Sequence, residues 1–160
     1  MQPNGAAAFN VSGDAYDRFM GRYSRPLAVE FATFADIDEA ALRVLDVGCG
    51  PGALTAELVR RVGASSVLAC DPSPSFVAAC AARNPGVEVR SGTAEQVPFD
   101  DDSVDAAVAQ LVLHFVSDPP AAAAELGRVV RSGGIIAACV WDFDEGMEML
   151  RTFWDAALQV

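Results

Sequence analysis

The feature that most narrows the folds open to this chain is an apolar run, Leu42-Arg43-Val44-Leu45-Asp46-Val47. It stops abruptly at Gly48-Cys49-Gly50-Pro51-Gly52 and opens into a helix-forming stretch from Ala53 to Val62. A short, nearly continuous apolar run bounded by glycines reads as a strand buried on both faces, which requires a parallel sheet lying between helices. The alternation recurs down the chain. A second strand is expected over Ser66 to Cys70, followed by a helix with Ser73 as its cap and Pro74 in its first turn, running to about Arg83. A third strand fits Val87 to Arg90, and a fourth fits Val104 to Ala109 behind the acidic turn Asp100-Asp101-Asp102-Ser103. Pro119 and Pro120 open an alanine-rich helix to about Val130, Ser132-Gly133-Gly134 ends it, and Ile135 to Val140 supplies a fifth strand. Such a succession predicts an α/β chain: a doubly wound parallel sheet with helices on both faces and right-handed crossovers.

The flanks are simpler. Residues 1–13 are small and polar and read as a mobile tail, and residues 14–160 read as a single domain. Tyr16, Phe19, Met20 and Tyr23 recur at helical spacing before Pro26, and Leu27, Phe31 and Phe34 after it, so two short helices are expected to form a cap over residues 14–40. The core would then occupy 41–143, with a terminal helix over 144–160 carrying Met147, Leu150, Phe153 and Trp154.

Charge excludes several functions. The chain has 22 acidic and 11 basic residues, a formal net charge of -11, and every basic residue is arginine. Nucleic-acid binding draws most of its affinity from neutralising phosphates, so a chain this acidic with scattered arginines is not expected to bind DNA or RNA. The absence of lysine removes both the P-loop lysine and Schiff-base catalysis. The four cysteines, at 49, 70, 80 and 139, form no CxxC pair, and His114 is the single histidine, so no metal site is expected and the thiols read as free in a reducing cytosol. No basic segment precedes an apolar run at the amino terminus and no stretch is long and apolar enough to span a bilayer, so a cytoplasmic location is expected.

Ligands of open parallel sheets bind beyond the carboxyl ends of the strands. After the first strand, Gly48 and Gly50 allow the backbone a tight turn and a close approach to a ligand. The spacing Gly48, Gly50, Ala53 also fits a dinucleotide-binding fingerprint, so glycines alone leave a nicotinamide or flavin open. Asp46, ahead of the glycines, suits a cationic ligand and opposes a pyrophosphate. After the second strand, Asp71 can accept hydrogen bonds from both hydroxyls of a ribose, with helix capping as its plainer role.

The segment Asp46-Val47-Gly48-Cys49-Gly50-Pro51-Gly52 resembles the first motif of the class I S-adenosylmethionine-dependent methyltransferases, in which this loop wraps the methionine end of the cofactor. Ser91-Gly92-Thr93-Ala94-Glu95-Gln96-Val97-Pro98-Phe99 is similar to that family's adenine-binding segment, with Thr93 where the pattern has an aspartate. Ala109-Gln110-Leu111-Val112-Leu113-His114-Phe115 resembles its segment after the fourth strand, and Tyr16 to Ser24 resembles its amino-terminal cap. The likeness runs from about residue 14 to residue 143 and is nearest to the small-molecule type that includes ubiquinone and menaquinone biosynthesis enzymes. It implies a Rossmann-like sheet of order 3-2-1-4-5 and S-adenosyl-L-methionine as cofactor. The implied contacts are Tyr16, Arg22, Asp46, Gly48, Cys49, Gly50, Asp71, Pro72, Thr93, Ala94, Glu95 and Gln110, with Arg22 meeting the cofactor carboxylate and Gln110 lining the path from methyl to acceptor. His114 is a candidate general base, although a histidine in that position is more often structural.

The implied reaction is an in-line methyl transfer to a small-molecule acceptor, for which the cofactor carries the activation and no catalytic triad is needed. Members of the family continue past the fifth strand into two more strands, so the resemblance implies that the final two are missing here. Trp141, Phe143, Met147, Phe153 and Trp154 would then have fewer covering partners, and an uncovered apolar edge points to a homodimer through the carboxyl-terminal side. Two other readings stay open: a cofactor-binding core with little catalysis that pairs with another chain, and a nicotinamide-dependent oxidoreductase.

Overall fold

A computed structural model describes residues 13–38, 42–142 and 146–158. Of the tail expected over residues 1–13, residues 1–12 lie outside the described residues, as do Phe143 and the side chains of Tyr16, Leu150, Phe153 and Trp154, while Gly13 begins the first helix. The elements are α1 (Gly13–Phe34), β1 (Val44–Val47), α2 (Ala53–Val62), β2 (Val67–Asp71), α3 (Pro74–Arg83), β3 (Glu88–Ser91), β4 (Val104–Gln110), α4 (Pro119–Val129), β5 (Val130–Cys139) and α5 (Glu148–Ala157). Among them the five strands make one sheet of order β3-β2-β1-β4-β5, every neighbouring pair parallel. This is the Rossmann-like arrangement expected from the sequence.

Strand burial follows the pattern that marked the strands. All four residues of β1 and all five of β2 are buried, because both of their faces are covered. On one face Leu45, Leu68, Ala107 and Val104 pack with Ala122, Leu126 and Val129 of α4. On the other, Val44, Val67, Ala106 and Val108 pack with Ala28 and Phe31 of α1 and Leu54 and Leu58 of α2. Each fully buried Leu or Val contributes roughly 1.5–3 kcal/mol, so these two layers supply the main stabilisation. The edge strands β3 and β5 are largely exposed, since each has a neighbour on one side only.

Three local expectations are corrected. First, Pro26 does not separate two helices but lies inside a single α1. A proline there removes the N–H that would bond to the carbonyl of Arg22, yet the helix continues because Ala28, Phe31 and Ala32 beyond it are buried on the sheet. Phe34, expected on that apolar stripe, is instead exposed. Second, Ser73 occupies the cap position of α3 without a side-chain capping bond, its hydroxyl pairing with that of Ser75 at 3.0 Å. Third, Ser132-Gly133-Gly134 does not end a helix. The helix ends at Val129, β5 begins at Val130, and the register against β4 shifts between Val104 and Ala106. Gly134 is needed at this kink, because a Cβ there would stand 2.5 Å from the carbonyl oxygen of Asp105.

One polar cluster fixes α1 to the rest. The guanidinium of Arg61, only 6% exposed, donates to Glu57 at 2.7 Å, to Asp38 at 2.7 Å, and to the Val29 carbonyl and Thr33 hydroxyl at 2.8 Å each. A guanidinium so buried and so fully paired joins the second half of α1 to the end of α2.

Candidate active site

The carboxyl ends of β1, β2, β3 and β4 open onto a cleft enclosing about 720 Å³, solvent at its mouth included. Of the residues singled out in the sequence, Gly48, Gly50, Asp71, Pro72, Thr93, Ala94, Glu95 and Gln110 line it.

The loop after β1 is shaped by its glycines. Gly48, Gly50 and Gly52 all adopt positive φ, at 71°, 53° and 96°. The Gly48 and Cys49 N–H groups both donate to the Cys70 carbonyl, at 2.8 and 3.0 Å, which binds the loop to β2. A Cβ on Gly48 would stand 2.4 Å from Val112 Cγ2, and one on Gly52 would stand 2.5 Å from Asn84 Nδ2. Gly50 differs: a Cβ there would meet nothing within 4 Å, so its bare backbone faces open space on the cleft side.

Asp71 ends β2 and is held by the loops it joins. Its Oδ2 accepts from the Gly50 N–H at 2.9 Å and its Oδ1 from the Ser73 N–H at 2.8 Å. Burial raises its pKa, while these two bonds pull it back down. Each oxygen retains a lone pair for a ligand, and no side-chain rearrangement is needed to present it.

Other expected contacts are placed elsewhere. Asp46 does not line the cleft; it is fully buried beneath the loop, where the Thr55 hydroxyl donates to its Oδ2 at 2.6 Å. Burial pushes its pKa up to about 7, with the charge of Asp71 adding to the rise and the Thr55 bond opposing it. The Cys49 side chain likewise points away, packing against Ala69 and Cys80. The cysteines are free thiols, and burial pushes that of Cys70 up to about 12. Arg22 is exposed on α1, with its guanidinium over the rings of Phe19 and Tyr23 and its Nε donating to the Phe19 carbonyl, and it does not reach the cleft lining. His114 lies against Phe115, with ring centroids 4.0 Å apart and planes tilted by 52°, burial lowers its pKa, and it is not a lining residue.

Glu95 lines the cleft and also fastens one of its walls. Its Oε1 accepts from the Ser117 N–H at 2.8 Å and the Asp118 N–H at 3.4 Å, fastening the segment that carries Phe115 and Val116 into the wall. Burial alone would raise its pKa; the bonds to the backbone and to Thr93 outweigh that and lower it.

Sequence reasoning missed the apolar walls, Phe76, Leu111, Val112, Phe115 and Val116, and also Ser73. Phe76 carries a usable signal, being the first large apolar residue of the helix that follows Asp71. Leu111 carries none, because its φ of 60° is unusual for a leucine and costs of order 1–3 kcal/mol. That conformation is held by its N–H donating to the Cys139 carbonyl at 2.8 Å, and it turns the chain sharply at the end of β4.

Comparison with known proteins agrees with this geometry. A family described as "Methyltransferase domain" matches residues 45–138. An uncharacterized methyltransferase of Mycobacterium tuberculosis (strain ATCC 25618 / H37Rv) is 38% identical over 135 residues, covering 84% of this chain and 52% of that protein. A malonyl-[acyl-carrier protein] O-methyltransferase of Serratia marcescens is 34% identical over 131 residues, covering 76% of this chain and 49% of that protein. The chain thus spans about half the length of these curated relatives. In fold, it is similar to the crystal structure of a SAM-dependent methyltransferase from Aquifex aeolicus, with a TM-score of 0.71 at 23% identity over 86% of this chain and 78% of that one. Among the described residues no helix is long and apolar enough to cross a membrane, and no group of three or more His, Cys, Asp or Glu side chains is arranged to hold a metal.

Proposed function

The chain belongs to the class I S-adenosylmethionine-dependent methyltransferases, and on that premise we propose that its cleft binds S-adenosyl-L-methionine and directs the methyl group to a small-molecule acceptor. The observation that carries the reading is Asp71: a carboxylate at the end of β2, preset by two backbone N–H groups, beside a Gly50 backbone that faces open space. The pair suits a ribose with two adjacent hydroxyls, which donate to the carboxylate oxygens while the ligand lies against a loop free of Cβ atoms. Phe76, Leu111, Phe115 and Val116 give the apolar walls that a purine ring needs, and the Thr93–Glu95 segment closes the same end.

The cofactor supplies an activated methyl on a positively charged sulfur. The chain's own residues have the remaining tasks of binding, orientation and exclusion of water. Asp71 anchors the ribose, Gly48 and Gly50 admit the methionine end, and Glu95, itself in the cleft lining, holds the Phe115–Val116 wall in place. Asp46 acts from beneath the loop, where its buried carboxyl favours a cation above it and becomes fully ionised when one arrives.

Calorimetric titration with S-adenosylmethionine and S-adenosylhomocysteine tests the reading. Each hydrogen bond to a charged group is worth about 1.5–3 kcal/mol, so Asp71→Ala should weaken both ligands by roughly 100-fold or more. A folded native chain that binds neither ligand, or an Asp71→Ala variant that binds as well as the native chain, refutes the assignment.

A further inference from the structure

Gln110 holds the one buried side-chain polar atom that lacks a hydrogen-bond partner among the described residues. Its Nε2 donates to the main-chain carbonyl of Ser24 at 3.0 Å. A carbonyl only accepts, so the amide cannot be turned over, and Oε1 is forced to point away from α1. That oxygen is fully buried and has no partner, in a residue that lines the cleft. An amide oxygen so placed calls for a donor, and a ligand is the natural source.

Position along the sheet identifies which ligand. Asp71 ends β2, the Gly48–Gly50 loop follows β1, Gln110 ends β4 and Trp141 follows β5, and this is also the lateral order of the strands. Neighbouring strands are about 5 Å apart, so a ligand anchored on Asp71 and laid over the β1 loop reaches Gln110 only at its far end. What lies beyond Gln110 is aromatic. Tyr23, next to Ser24, meets Trp141 edge-on with centroids 6.2 Å apart, and Tyr23 is 48% exposed. The Arg22 guanidinium lies 5.1 Å from the centre of the Tyr23 ring.

We propose that Gln110, Tyr23 and Trp141 form the acceptor subsite, and that the acceptor is an uncharged or anionic aromatic alcohol whose hydroxyl donates to Gln110 Oε1. The proposal rests on the functional reading above. Tyr23 and Trp141 hold the flat apolar body, and Arg22 disfavours a protonated amine in the same place. With its O–H directed at Oε1, the oxygen turns a lone pair towards the cofactor. The O–CH3 bond forms as the C–S bond breaks, the electron pair returns to sulfur, and the hydroxyl proton leaves to water. Gln110 orients the nucleophile and takes no proton.

Fluorescence titration with 2-naphthol and 2-methoxynaphthalene tests this, with saturating S-adenosylhomocysteine present and its own binding measured separately by calorimetry. The ether keeps the ring and lacks the donor. We expect native protein to prefer the naphthol by about tenfold, as one satisfied hydrogen bond warrants. Gln110→Met, measured at saturating S-adenosylhomocysteine, should reduce the preference to within about twofold. Tyr23→Ala should weaken both probes equally, and serves if the Gln110 variant does not fold. Absence of probe binding, absence of preference in native protein, equal binding of both probes by native and Tyr23→Ala protein, or a preference that persists in Gln110→Met, each overturns the proposal. Loss of S-adenosylhomocysteine binding in native protein would instead strike the functional reading, and the probe preference without it would still report on the subsite.

Discussion

Replacing Asp46 by Asn turns the buried carboxyl into a measurement. In the fold this group titrates near 7, against 3.8 for an ordinary aspartate, chiefly because burial disfavours its charge. The folded chain therefore keeps a proton that the unfolded chain releases, and stability falls as pH rises between those two values. The loss is about 1.4 kcal/mol for each pH unit crossed, which sets an upper limit of roughly 4 kcal/mol above neutrality. Asn keeps the acceptor for the Thr55 hydroxyl, which donates at 2.6 Å, and cannot ionise. Asp46→Asn should therefore match the native chain near pH 4 and exceed it by about 2–4 kcal/mol at pH 8, the difference growing between. Urea unfolding followed by circular dichroism across that range measures it. A difference independent of pH, or a variant less stable than native at pH 8, would show that Asp46 ionises in the fold as it does in water.

Three other outcomes follow from the cleft. Gly48→Ala places a Cβ 2.4 Å from Val112 Cγ2 at a φ of 71°, and should cost about 2–4 kcal/mol of stability by thermal or urea unfolding; adding Val112→Ala should restore only the steric part. Glu95→Ala should lower stability by about 1–2 kcal/mol and weaken cofactor analogues by loosening the Phe115–Val116 wall. Because the Glu95 pKa is lowered in the fold, its contribution is complete above the ordinary glutamate value of 4.5 and is lost as pH falls through the folded value, so native and Glu95→Ala unfolding curves should converge in acid. Leu111→Gly should relieve the cost of its φ of 60° yet lose apolar wall, leaving stability nearly unchanged while cofactor-analogue affinity falls, as calorimetry would read.

The sheet was legible in the sequence because burial on both faces leaves little room for anything but apolar side chains, as at Val44 to Val47 and Val67 to Cys70. Strand limits came within a residue or two for β1 to β4. They failed at β5, where Val130 and Arg131 extend the strand backwards through a glycine kink whose need is set by Asp105 on the neighbouring strand. Pro26 was misread for a similar reason: a local rule about proline lost to burial of residues further along the helix. In the cleft, backbone-led features were visible, including the glycines of the first loop and Asp71. Roles set by where a polar side chain finds its partner in the fold were not. Asp46 and Thr55 share a buried bond, Glu95 serves the segment at Ser117, and Gln110 reaches Ser24, 86 residues away.

The joining of α1 to the body has a mechanical consequence. Arg61 grips α1 at Val29 and Thr33, both beyond Pro26, where the helix lacks one of its own hydrogen bonds. The helix therefore has a moored half after the proline and a half before it that can bend there, and the bending half carries Arg22, Tyr23 and Ser24. Bending there draws Ser24 away from Gln110 and parts Tyr23 from Trp141. A molecule settling on that side would thus select one position of a hinged arm, and amide exchange in residues before Pro26 should be faster than after it and slow on occupancy.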